Sequence, residues 1–200
     1  MKQTNNSAFA EVIESSLNGF LAQSWQWNHF PTFGSMVTVD TGKRLLCGII
    51  HQVQTGSMDP VRYPFPYQKT EVELMAEQPQ IFEFLKTTFN ALIIGYQEKG
   101  SFFYVSAPEP AKIHAFVQPM ASDLCKQFFY QHRYLHLLFG LQSQLGNIDE
   151  LMLALLKQQA ELGIMHREAI RGFAHQFCLL TGNDYRRLKL FLQRVEPILN

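Results

Sequence analysis

Met36-Val37-Thr38-Val39-Asp40-Thr41-Gly42-Lys43-Arg44-Leu45-Leu46-Cys47-Gly48-Ile49-Ile50 decides the fold class. Two β-rich runs, Met36–Val39 and Arg44–Gln54, flank Asp40-Thr41-Gly42, a tight-turn signal, and together they predict a hairpin. Downstream, Gly56, Pro60, Pro64 and Pro66 mark a loop in which so much proline excludes an interior strand. Pro79 suits the first turn of a short helix carrying Ile81, Phe82 and Leu85 on one side. Strand character returns over Phe89–Tyr96, Glu98-Lys99-Gly100 makes a turn, and Ser101–Ser106 pairs back. A last short strand is expected over Ile113–Val117, between Pro110 and Pro119. Short strands with glycine turns predict a small, mostly antiparallel β-barrel over residues 33–120.

On the N-terminal side, Phe9, Val12, Ile13, Leu17, Phe20 and Leu21 recur at helical spacing, with Ser7 as N-cap. Residues 1–32 are therefore expected to form an amphipathic helix and an aromatic linker containing Trp25, Trp27, Phe30 and Pro31. On the C-terminal side, residues 121–200 predict a helical subdomain, a bundle of about four helices. Leu124, Phe128, Leu135 and Leu138 mark one helix, stopped near Gly140. Asn147 with Glu150 starts a second in capping-box fashion. Ala169, Ile170, Phe173 and Phe177 line a third, ended by Gly182-Asn183, and Tyr185, Leu188, Leu192 and Val195 a fourth, ended by Pro197. The fold class is α+β.

Composition narrows the function. The 200 residues carry 17 basic and 17 acidic side chains. That balance disfavours a broad nucleic-acid or anionic-membrane surface, and weak self-repulsion suits self-association. Cys47, Cys125 and Cys178 are odd in number, widely spaced and set in apolar stretches, which points to free core thiols in a reducing, cytoplasmic setting. No apolar run reaches 18 residues and the first 16 hold no continuous apolar segment, so neither a membrane span nor a signal peptide is expected.

Motifs for catalysis fail on spacing. Gly34, Gly42 and Lys43 are too far apart for a phosphate loop, and Arg44 stands where a magnesium-binding hydroxyl is needed. His132 and His136 share a predicted helix face, but Arg133 replaces the glutamate of a zinc-protease helix and no third ligand follows. His51 and His114 fall in predicted strands. Glu71, Glu73 and Glu77 read as a solvated face. No catalytic, cofactor or metal site is assigned. The candidate partner contacts are Tyr63, Phe65 and Tyr67, aromatic rings in a proline-rich loop, and Arg186 and Arg187 in a basic stretch with Lys189 and Arg194.

Phe33-Gly34-Ser35-Met36-Val37, Gln78-Pro79-Gln80-Ile81-Phe82 and Leu85-Lys86-Thr87 with Phe89 and Ala91 resemble small stand-alone bacterial proteins of the HAS-barrel (HerA–ATP synthase barrel) family. Ile94-Gly95-Tyr96, Pro108, Pro110 and Ile113-His114 with Val117 extend the similarity. The resemblance implies a small barrel used to join subunits or dock accessory proteins, and it transfers no functional residues. The expected function is a non-enzymatic assembly or adaptor protein that self-associates or docks on a larger machine. The alternatives are a nucleic-acid accessory factor that stacks single strands on exposed rings, and an enzyme with a site that shows no motif.

Overall fold

Leu46-Cys47-Gly48-Ile49-Ile50 is apolar at five successive positions because both faces of its strand are covered, as a strand buried on two sides requires. In the computed structural model, which describes residues 7–59, 61 and 64–199, this strand lies in an antiparallel sheet of seven strands. They are β1 (Ala10–Ser15), β2 (Gly19–Ser24), β3 (Met36–Asp40), β4 (Leu45–Ser57), β5 (Leu85–Glu98), β6 (Ser101–Phe103) and β7 (Phe116–Pro119). The order β2-β1-β7-β3-β4-β5-β6, with β2 also pairing with β5, closes six strands into a barrel and leaves β6 on the outer edge of β5.

Alternation then sorts the side chains. Val37, Val39, Leu46, Ile50, Phe89, Ala91, Ile93 and Tyr96 fill the barrel with Val12, Phe20 and Val117. Their neighbours Met36, Cys47, Ile49, Leu92 and Ile94 point outward and join a second core made with the helices. The expected hairpin is present, with Met36 opposite Ile49 and Asp40 opposite Leu45. Asp40 Oδ1 accepts from Gly42 N at 2.7 Å, and Gly42 has a φ of +88°.

The N-terminal helix expected within residues 1–32 is replaced by β1 and β2. Two features disguised them. The register of β1 shifts between Val12 and Glu14, so Ile13 is an extra, bulged residue that turns a period of two into apparent helical spacing. Leu17-Asn18 then makes the turn between the strands, where Ser16 N donates to Gly19 O at 2.8 Å. Gly19 lies opposite Leu92 in the β2–β5 seam, and a Cβ there would stand 2.4 Å from Ala91 O. A helix would have discarded the pairing that closes the barrel.

The helical part also differs from a bundle of about four. It consists of α3 (Ser122–Phe129), α4 (Tyr134–Gly140), α5 (Ile148–Glu161), α6 (Arg167–Leu180) and α7 (Tyr185–Leu199), following α1 (Glu71–Glu77) and α2 (Gln80–Glu83) earlier in the chain. The first expected helix is broken at Tyr130–Arg133. With the break, Phe128 and Phe129 of α3 and Tyr134, Leu135 and Leu138 of α4 all enter the core shared with the sheet. Asn147 caps α5 as expected, its Oδ1 accepting from Asp149 N and Glu150 N. Pro197 lies inside α7 rather than ending it. The helices cover the outer barrel face, sharing one core with Met36, Cys47, Ile49, Leu92 and Ile94. Tyr104 strengthens this junction by donating its hydroxyl to Phe128 O at 2.6 Å.

Of the remaining expected strands, Ser101–Ser106 shortens to β6, and the last strand moves to Phe116–Pro119. His114 precedes it in a turn, with a φ of +65°.

Candidate docking surface

The proline-rich loop is part of an arm. Strands β4 and β5 stay paired as far as Ser57 opposite Leu85, and Met58 N donates to Phe84 O at 2.7 Å. Between them, no described residue from Met58 to Lys86 is buried, and α1 and α2 bury none of their side chains. The arm nevertheless exposes Met58, Val61, Phe65, Tyr67, Val72, Met75 and Phe84. Single exposed apolar residues are ordinary on a protein surface; here seven fall in one excursion whose described residues are all exposed or half-buried.

Local chemistry gives the arm its shape. Thr70 and Glu73 form a capping box: Thr70 Oγ1 accepts from Glu73 N at 3.3 Å, and Glu73 Oε2 accepts from Thr70 N at 2.7 Å. These bonds to Thr70 hold the Glu73 carboxyl below its usual range. Lys69 pairs with Glu77 across the helix. Trp27 stacks on Phe82 with ring centroids 5.4 Å apart, tying α2 to the segment after β2. A hydrogen bond of 2.6 Å between the Thr55 and Thr87 hydroxyls braces the base.

The candidate contacts separate. Tyr63 lies outside the described residues. Phe65 is 70% exposed and Tyr67 38%, and their rings meet edge to face at 5.6 Å. Arg186 is exposed on α7, a different element. Arg187 is bound within the fold: it donates to Asp149 Oδ1 at 2.6 Å and lies 5.7 Å from the centre of the Phe177 ring. Val72, Met75 and the helix that carries them were not foreseen. Thr70-x-x-Glu73 ahead of Leu74 was the signal available.

Burial raises the thiol pKa of Cys47, with a smaller push from Cys125, and lifts Cys125 to about 11, so both thiols stay protonated at neutral pH. His51, the extra residue in a bulge of β4, borders an open groove of about 330 Å³ with Glu14, Ser15, Gln52, Asn90 and Gln144. Burial lowers its pKa. Ser15 Oγ has no hydrogen-bond partner among the described residues, so no serine–histidine pair forms there. His132 sits outside α4 against the Tyr134 and Phe173 rings, whereas His136 is exposed within it, so the two do not share a helix face. Among the described residues, no group of histidine, cysteine and carboxylate side chains is placed to hold a metal. No described helix is long and apolar enough to cross a membrane.

No protein-family model and no curated protein matches this sequence.

Proposed function

We propose that this chain is a non-enzymatic assembly or adaptor protein that works by protein contact, through self-association or docking on a larger machine. The observation that carries the reading is the arm between β4 and β5, which presents seven large apolar side chains and buries none of its described residues. Holding such surface in water costs about 25 cal/mol per Å², and a protein partner recovers that cost. The resemblance to HAS-barrel proteins supports the same reading, since barrels of that family join or dock subunits.

The arm's charge favours a protein over a nucleic-acid strand. Thr70 to Phe84 contains four glutamates and no lysine or arginine. Over residues 58–84 five acidic side chains outnumber Arg62 and Lys69, a balance that disfavours a phosphate backbone along the arm. Lys69, the nearest described cation to Phe65 and Tyr67 in sequence, is paired with Glu77.

The test compares the full chain with a variant in which a two-residue Asn-Gly turn replaces residues 58–84. Mass in solution is read by light scattering after size exclusion, and partners are captured from cell lysate. The full chain should form a discrete oligomer or retain a stoichiometric partner, and the shortened chain should do neither. Equal behaviour of the two proteins would remove the arm from the function.

A further inference from the structure

We propose that α1 of one copy docks in the apolar groove along α7 of a second copy, making a head-to-tail contact. This deepens the assembly reading above and rests on it. The groove is an open strip of about 470 Å³ along one face of α7, lined by Tyr185, Leu188, Lys189, Leu192, Gln193 and Glu196 of that helix alone, with Leu188 and Leu192 half-buried at its floor. Tyr185 is 73% exposed at its entrance. An amphipathic helix laid into such a groove is a recurring recognition mode, read through anchors three and four residues apart. Val72, Met75 and Ala76 have that spacing on α1, and all three are exposed.

Charge selects the partner. Helix α1 carries Glu71, Glu73 and Glu77 and no basic residue, whereas α7 carries Arg186, Arg187, Lys189 and Arg194 against Glu196 alone. Two of those cations are committed within the fold, Arg187 to Asp149 and Arg194 to Glu150. Arg186 and Lys189 have no ion pair among the described residues and stand at the Tyr185 end of α7. Glu71 is likewise unpaired among the described residues. Glu196 marks the far end of the groove, so the acidic helix is drawn toward the end held by Lys189. The acidic arm and the basic helix balance within each chain, leaving no net charge to keep copies apart.

The two surfaces lie on different elements, so the contact is heterologous: each copy offers one arm and one groove, and assembly closes into a ring or continues as a chain. The interface is small, and association should therefore depend on concentration.

Two full-length variants test this. Val72→Asp with Met75→Asp spoils the arm, and Lys189→Glu with Leu192→Asp spoils the groove. Lys189→Glu alone, at an exposed position, serves as a second groove variant that leaves packing intact. Circular dichroism checks each fold, and light scattering follows mass over about a hundredfold range of concentration. The wild-type mass should rise with concentration, and each double variant alone should stay at monomer mass. An equal mixture of the arm and groove variants should form a 1:1 dimer, because one intact arm and one intact groove remain. Lys189→Glu alone should weaken wild-type association by about tenfold at low salt. A wild type that associates while the groove variants associate equally well would overturn this pairing and leave the assembly reading standing. A mixture that stays monomeric while the wild type associates would also overturn it. A wild type that is monomeric throughout and captures no partner would remove both readings.

Discussion

Replacing Gly34 with alanine should strike the joint between barrel and helices, and the structure supplies the size of the effect. Gly34 precedes β3 with a φ of +80°, and its N–H donates to Ile50 O at 2.8 Å. A Cβ there would stand 2.5 Å from the Ala154 Cβ on α5, 3.2 Å from Ala154 C and 3.3 Å from Leu155 N. Two costs follow. A left-handed backbone costs a residue with a Cβ about 1–2 kcal/mol, and forcing a methyl into a packed contact costs about 1–3 kcal/mol. Gly34→Ala should therefore destabilise by about 2–5 kcal/mol, lowering Tm by roughly 4–20 °C for a chain of this length. Urea unfolding, followed by far-UV circular dichroism and by the fluorescence of Trp25 and Trp27, measures the change. The Ala154→Gly background separates the terms. That substitution alone should cost about 0.5–1 kcal/mol, but it removes the atom nearest the new methyl. Gly34→Ala in that background should retain the backbone cost and lose about 1 kcal/mol or more of the steric one. A cost for Gly34→Ala that does not change with Ala154→Gly would refute this account of the joint.

Other expectations follow from single contacts. Tyr104→Phe should cost about 1 kcal/mol in urea unfolding, since Phe128 O loses the Tyr104 hydroxyl donor. Gly19→Val should open the β2–β5 seam, and amide exchange should quicken along Phe89–Leu92 relative to the Leu46–Cys47 amides. Cys47 and Cys125 should resist a thiol reagent at pH 8 in the native state and react on unfolding, because burial keeps both protonated. Burial lowers the pKa of His132 and His51 below 6.5, so the unfolded chain binds protons first as pH falls. Stability should drop on acidification below about pH 6.5, by at most about 1.4 kcal/mol per pH unit for each histidine, and His132→Gln should flatten part of that slope. A midpoint in urea that does not move between pH 7 and pH 5 would contradict the two lowered pKa values.

How much of this was legible beforehand varies with the range of the interactions involved. The hairpin at Asp40-Thr41-Gly42 and the start of α5 at Asn147 are set by neighbours within a few residues, and the sequence predicts them correctly. The β-rich runs within β4 and β5 announce strands, and the sequence places both. The exposed rings of Phe65 and Tyr67 were placed in a loop, where they are found. In α1, the Thr70–Glu73 capping box was present in the sequence, but the glutamates around it suggested only a solvated face. Arg187 could not be told from Arg186 by composition, because its partner Asp149 is 38 positions away.

By itself, then, the sequence determined an α+β chain with an antiparallel barrel, a helical C-terminal part, three apolar-set thiols and no net charge. Tertiary structure alone decided that the N-terminal segment is strand. Its bulge at Ile13 counterfeits helical periodicity, and Gly19 pairs with Leu92, more than 70 positions away, to close the barrel. Tertiary structure also decided that Met36, Cys47 and Ile49 face helices while Val37, Leu46 and Ile50 face the barrel interior. The alternation of a strand says which residues share a face; only what is packed against each face says which core it enters.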